Sequence, residues 1–458
     1  MTGRREALFL TVEPLGERLA GPAIRALELA RAVARSGAVG RVRLVSLSRC
    51  DRRDAEVELS AVGPDLLDLA RDSGVVVLQG DVLNRVPGLA GLDVPIVVDA
   101  YDPFHLEQLE QTRGLAEADR LRIVRDCVRA LNDQLGRADL VLCASQRQRS
   151  LWLGHLAAVG RVNPLTYASP DLSALLAVVP FGTSAPDRTA VPDRAAVVGA
   201  AVPGLVPDDV LLVWGGGIYP WFDTDVLLDA MDRLTVTHPR VKLLFLGTRH
   251  PLRPDAESPE VAALRTRAAA SGLLDRTVFL HPGWVPYDDR HAWLGSADVG
   301  VSTHHPHLET EFSYRTRVVD YLAAGLPVVT TDGDAMADLV RATGSGVVVP
   351  PHDPEALAGA LAGLADDAMA RREQAGCARA AAATLAWDLV AAPLVEYCRA
   401  PRRAPDLVAP PVTRALLEVS RGGLAHRVRA AAAEGGPALL AARVLRRLGA
   451  PRSGSAGG

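Results

Sequence analysis

The chain has 458 residues, a formal net charge of −4 and 48% hydrophobic residues. That length exceeds what a single core usually serves and predicts two domains, while the near balance of charge excludes whole-chain binding to nucleic acid. Of its 50 basic residues only Lys242 is a lysine, so a bound phosphate must be met by arginine, backbone N–H groups or a helix terminus.

Met1 begins a polar stretch without a signal-peptide core, and no apolar run is long enough to span a bilayer, so a cytoplasmic protein is expected. The five cysteines lie far apart with no CxxC and read as reduced thiols. Strand-like runs at 7–12, 41–47, 75–79, 95–100 and 140–145 alternate with helical periodicity, which predicts a parallel α/β sheet over residues 1–180. After the first strand, Pro22 can open a helix at its first position, and Gly16 and Gly21 leave room for a second substrate. The run PIVVDA continues into YDPFHLE and so sets Asp99, Asp102 and His105 just past a strand's carboxyl end. A lone histidine is more often structural, but this address favours a role for His105.

Residues 181–206 are rich in Pro, Gly, Ala and Asp without a clear period and read as a linker. A second series of strands at 210–214, 241–247, 277–281, 298–302, 327–331 and 346–350, with helices such as 224–237 and 355–365, defines a domain over 207–398. The expected fold class is α/β, two doubly wound Rossmann-like domains facing a cleft, with ligands beyond the carboxyl ends of the strands. Residues 399–458 read as a Pro-rich linker and a basic helical tail, with eight arginines against two glutamates from Val412 onward. Peripheral contact with anionic lipid at the inner membrane face and a solvated appendage are the two readings of that tail. The final RSGSAGG has a disordered composition.

Gly215, Gly216 and Gly217 follow a strand and precede a helix, where backbone N–H groups can approach a phosphate. A tight turn is the plainer explanation, and no GxGxxG fingerprint is present. In DTD, residues 223–225, Asp223 reads as an N-cap rather than a metal ligand. His304, His305 and His307 cluster without spaced carboxylate partners, so no metal and no cofactor is expected.

Residues 309–331, ETEFSYRTRVVDYLAAGLPVVTT, set Ser313, Arg315, Arg317 and Asp320 at the start of a helix running Tyr314 to Ala324, with a buried strand after it. The bland account is a capped helix with a solvated face, on which Arg317 and Asp320 form an exposed ion pair.

In order along the second half, VWGGGIYPWFDTDVLLDAM, FLHPGWVPYDDRHAWLGSADVGVST, ETEFSYRTRVVDYLAAGLPVVTTDGD and GSGVVVPPHDPEALAGAL resemble the consecutive motifs of bacterial family-4 retaining glycosyltransferases of the GT-B fold. GERLAGPAIRALELARAV resembles the acceptor-side loop of bacterial relatives, and the likeness covers roughly residues 6–398. It implies transfer of a sugar from a nucleotide diphosphate-sugar, a co-substrate rather than a cofactor, to a carbohydrate, lipid-linked or small-molecule acceptor. Cell-envelope polysaccharide, glycolipid or glycosylated-metabolite synthesis is the expected setting.

On that resemblance Asp320 binds the donor ribose, Ser313 and Tyr314 meet the diphosphate with the glycine loop, and Arg315 and Arg317 neutralise the leaving group. Arg249 supplements them, Trp284 borders the base, Gly16, Gly21 and Asp102 serve the acceptor, and His105 polarises it. The chain departs from the family pattern in two places: Phe312 stands where an acid is usual, and Tyr219 to Phe222 replace the usual Arg/Lys pair. A non-catalytic GT-B binding or scaffold protein and a nucleotide-sugar epimerase are the competing readings.

Overall fold

The computed structural model describes residues 6–167, 171–184 and 193–417. The arginine-rich tail beyond residue 417 lies outside the described residues, so the membrane expectation placed on it is not addressed by the structure.

Two parallel sheets organise the chain. The first holds β1 (Glu6–Thr11), β2 (Arg41–Ser46), β3 (Glu58–Ala61), β4 (Val75–Gln79), β5 (Ile96–Asp99), β6 (Leu140–Cys143) and β7 (Leu176–Val178) in the order β3-β2-β1-β4-β5-β6-β7. The second holds β8 (Val210–Trp214), β9 (Val241–Phe245), β10 (Val278–Leu280), β11 (Val299–Ser302), β12 (Val328–Thr331) and β13 (Gly346–Val349) in the order β10-β9-β8-β11-β12-β13. Central strands such as VVVLQ in β4 and VLLVW in β8 are buried at all five positions, as strands covered on both faces must be. The short strands β3 and β7, which periodicity does not reveal, are the additions at the sheet edges; β3 is largely exposed and polar.

The strand order reverses between β1 and β4 in the first sheet and between β8 and β11 in the second. At each reversal the loops after the strands diverge and leave a crevice at the carboxyl ends. Contacts on both flanks join the two crevices across the cleft. On one flank Arg18 Nε donates to the carbonyl of Trp284 (2.8 Å), the Trp284 indole donates to the carbonyl of Leu19 (3.0 Å), and the Tyr287 N–H donates to that of Glu17 (2.9 Å). On the other, Gln148 Nε2 donates to the Phe312 carbonyl (2.9 Å) and Arg147 pairs with Asp338 (2.6 Å).

One apolar cluster is shared by the sheets, joining Phe9 and Leu27 to Val213, Tyr321 and Trp387. Its bridge is the pair of helices Trp387–Val390 and Ala392–Arg399, which pack on the helix Gly21–Arg35. Gly182 has no room for a side chain there, because a Cβ would stand 2.5 Å from the Trp387 ring. The chain then returns to the first sheet: Asp406 holds Arg161 (2.7 Å) and Asp139 accepts from the Ala404 N–H (2.7 Å). Within the stretch read as a linker, Arg194–Val198 is helical behind the cap of Asp193. Among the described residues no helix is long and apolar enough to cross a membrane.

Candidate functional site

The helix Thr316–Ala324 begins two residues later than periodicity predicts, because Ser313 closes a separate short helix, Leu308–Phe312, in extended geometry. Its apolar residues Val318, Val319 and Leu322 face the core. Gly325 ends it at φ 73°, a left-handed turn that glycine adopts without penalty.

The arginines of this segment are buried, contrary to the bland account of a solvated face. Arg317 is 7% exposed, its Nη2 donates to the carbonyl of Gly217 (2.6 Å), and its guanidinium lies 4.0 Å from the Phe222 ring centre and 4.3 Å from that of Trp214. Its Nη1 is buried with no partner. Burial pulls its pKa down to about 10, so it keeps its charge at neutral pH. The segment YPWF, standing where a basic pair was expected, thus forms part of the aromatic cradle of Arg317: Tyr219 stacks on Trp221 (4.8 Å), and Phe222 meets Trp214 edge to face.

Arg317 and Asp320 form no pair. Asp320 instead sits 3.3 Å from Arg290, whose Nε and Nη1 are buried without partners, and burial raises the Asp320 pKa. Arg315 is already committed: it makes a two-pronged bond to Glu309 (2.8 and 2.6 Å), and its Nε lies 3.7 Å from Asp334. The short helix Leu308–Phe312 explains this, because it buries Glu309 against Arg315 while Glu311 stays exposed and Phe312 offers only its carbonyl. Ser313 Oγ donates to the Thr310 carbonyl (3.0 Å), and Tyr314 packs against the shared core with its hydroxyl pKa raised by burial.

The glycine loop is pinned rather than open along its length. The Gly215 N–H donates to Tyr321 Oη (2.7 Å), which donates onward to the Val301 carbonyl (3.0 Å). Gly216 takes φ 82°, and Gly247 presses so closely that a Cβ there would stand 2.5 Å from the Gly216 carbonyl. Gly217 gives its carbonyl to Arg317. Arg249 is exposed beyond β9, and Trp284 clasps the loop after β1 with His250 edge-on at 5.5 Å.

Across the cleft, Gly21 faces the start of the Thr316–Ala324 helix, where a Cβ would meet Thr316 Oγ1 at 3.4 Å; Gly16 has nothing within 4 Å of that position. Asp102 is half-buried and hydrogen-bonded to Glu107, with Glu309 close by, and desolvation lifts its pKa to about 6. Glu13, in the loop after β1, has a buried unpartnered Oε2 and is lifted to about 7, first by burial and then by the charge of Asp102. Burial, with the neighbouring charges of Asp102 and Glu309, raises Glu107 well above the carboxylate range. Carboxyls near one another in a dry cleft hold protons because ionising them together is costly.

His105 packs on Trp152 (5.9 Å) and His155 (6.5 Å), held neutral by burial with its pKa near 4 and its Nδ1 unpartnered. Asp99 is a structural anchor, gripped by the fully buried Arg25 at 2.8 Å. Glu13, Glu107, Glu309 and Arg290 were not singled out from the sequence; the position of Glu13 just beyond the first strand was the available signal.

Buried guanidinium N–H groups without partners on the second domain and a cluster of carboxyls with raised pKa values on the first thus lie at the switch points of the two sheets. Residues 209–367 match the family model described as glycosyl transferases group 1. The second domain is thus similar to group 1 glycosyl transferases. A D-inositol 3-phosphate glycosyltransferase of Xylanimonas cellulosilytica is 33% identical over 207 residues, 44% of this chain and 45% of that protein. The chain thus spans less than half the length of that curated relative. Among solved structures, sucrose-phosphate synthase from Thermosynechococcus elongatus aligns with a TM-score of 0.61 at 16% identity over 86% of this chain and 98% of that one. Anabaena HepE, solved with UDP and glucose, aligns at 0.60 with 16% identity over the same shares. The second domain and its N-terminal partner together have the GT-B architecture that these likenesses share. Within that domain lie the glycine loop, both cleft arginines and Asp320.

Proposed function

We propose that the chain transfers a sugar from a nucleotide diphosphate-sugar to an acceptor hydroxyl with retention of the anomeric configuration, and that the transfer step uses no metal ion. The observation that carries this reading is Arg317, a charged and almost fully buried guanidinium with one N–H edge anchored to Gly217 and the other unpartnered. A buried charged donor left unsatisfied costs free energy unless a ligand completes it, and a departing diphosphate supplies the complementary charge. The family match of residues 209–367 and a structural neighbour solved with UDP and glucose support a nucleotide diphosphate-sugar donor.

Arg317 stabilises the charge that develops on the leaving group, and its fixed aromatic cradle means little reorganisation accompanies that step. Asp320, on the helix that carries Arg317, and Arg290, which begins a neighbouring helix 3.3 Å from it, hold the donor nucleoside. On the acceptor side, the carboxyls of Glu13, Asp102 and Glu107, all shifted upward, hydrogen-bond acceptor hydroxyls, while the contacts between Arg18, Trp284 and Leu19 keep water out of the closed cleft.

Incubation with a panel of nucleotide diphosphate-sugars, with nucleotide release and anomeric configuration followed, tests the reading. Arg317→Ala is expected to lower kcat about a hundredfold with donor KM little changed, and Arg317→Lys to recover only part of it, since an ammonium lacks the guanidinium fork. Wild-type turnover in Arg317→Ala of unaltered melting temperature would exclude this role. The neutralisation of Arg315 by Glu309 favours a second reading, a protein that binds the nucleotide without turning it over. Calorimetric binding with no nucleotide release from any donor would select it.

A further inference from the structure

In the loops beyond the carboxyl ends of the second sheet, three side chains that the transfer reaction does not use converge. Asp223 follows β8, His305 follows β11 and His352 follows β13. Their candidate ligand atoms all lie within 4.8 Å of one another. Asp223 Oδ2 is 2.7 Å from His352 Nδ1 and 3.5 Å from His305 Nδ1.

The two carboxylate oxygens of Asp223 have different tasks. Oδ1 accepts from the Val226 N–H (2.9 Å) and caps the helix Thr224–Thr237, so the N-cap expected from the sequence is present. Oδ2 is left facing two imidazole nitrogens. The sequence expectation that the histidine cluster lacks a carboxylate is corrected here: the partner is 82 residues away along the chain and is supplied by the fold.

The group is held rigidly and remains open to solvent. The Asp223 N–H donates to the Thr303 carbonyl (3.1 Å), Thr303 Oγ1 donates back to the Asp223 carbonyl (2.6 Å), and the His305 N–H donates to the Trp221 carbonyl (3.1 Å). The Asp223 side chain is 4% exposed, that of His305 38% and that of His352 55%, so the carboxylate forms a floor and the imidazoles a rim. The imidazole rings lie 5.2 Å apart.

We propose that Asp223, His305 and His352 form a binding site for a zinc-class divalent cation that ties together the loops after β8, β11 and β13. Two imidazoles and one carboxylate suit zinc or cobalt far better than magnesium or calcium, whose ligands are predominantly oxygen. Three protein ligands leave a fourth position for water, reached from the exposed histidine side. The cation holds the stem of the glycine loop and takes no part in bond making, so this inference stands apart from the nucleotide-sugar reading and either can fail alone.

Metal-free, untagged full-length protein titrated with Co²⁺ is expected to develop the visible bands of a low-coordinate cobalt ion, and equilibrium dialysis to give one zinc per chain. Excess zinc is expected to raise the melting temperature, because the cation binds the folded state, whereas Mg²⁺ at the same concentration is expected not to. His352→Ala and His305→Ala should each weaken zinc binding by about tenfold or more. His352 is the more exposed, so its loss is the cleaner test. Asp225→Asn, at an acid of the same DTD that faces Arg267, should bind as the wild type does. Absence of a cobalt spectrum and of stoichiometric zinc in the wild type would overturn the proposal. So would zinc affinity unchanged in both histidine variants.

Discussion

Tyr321 shows how one hydroxyl can set the geometry of a whole site. Fully buried, it accepts from the Gly215 N–H and donates to the Val301 carbonyl, so it links the glycine loop, the helix that carries Arg317 and the central strand β11. Gly300 makes room for its ring, because a Cβ there would stand 2.4 Å away. Tyr321→Phe removes the hydroxyl but leaves the Gly215 N–H buried, which is expected to cost about 1–3 kcal/mol in chemical denaturation. The same variant should weaken donor affinity, since the loop loses its tether. Unchanged stability would mean that the Gly215 N–H finds another acceptor.

At the scale of elements, the helix Thr316–Ala324 and the loop Gly215–Gly217 act as one unit, joined by Tyr321 and by Arg317. Gly247, at the end of β9, backs that unit against the main chain of Gly216, and neither backbone can yield as a flexible side chain would. Gly247→Ala is therefore expected to displace the loop and lower donor affinity measured by calorimetry about tenfold or more. Wild-type affinity in that variant would show that the loop is not part of the donor site. The helix start was legible only in part. Its apolar spacing and Gly325 stop could be read directly, but the burial of Arg315 and Arg317 could not, because their partners Glu309 and Gly217 come from a separate short helix and from a loop 100 residues away.

For the whole molecule, the cleft is spanned by contacts on both flanks, and the C-terminal segment locks onto the first sheet through Asp406. That carboxylate and Arg161 are each 5% exposed, and Arg161 also donates to the carbonyls of Leu135 (2.8 Å), Gly136 (3.2 Å) and Ala138 (2.7 Å). Asp406→Ala leaves the arginine buried without its counter-charge and is expected to destabilise the protein by roughly 3–5 kcal/mol, read in urea unfolding. A loss below about 1 kcal/mol would indicate that the three carbonyls alone satisfy Arg161.

The sequence by itself determined the layered α/β plan, because strands buried on both faces must be continuously apolar and the helices between them must carry a 3.6-residue period. It also determined which loops lie at the carboxyl ends of the strands, and so the neighbourhood of Arg317 and Asp320. Only the tertiary structure decided which charges face each other. Asp320 met Arg290 rather than Arg317, Arg315 met Glu309, and Asp223 met His305 and His352, since the partner of a buried charge is fixed by how distant loops fold together and leaves no periodic trace in the chain.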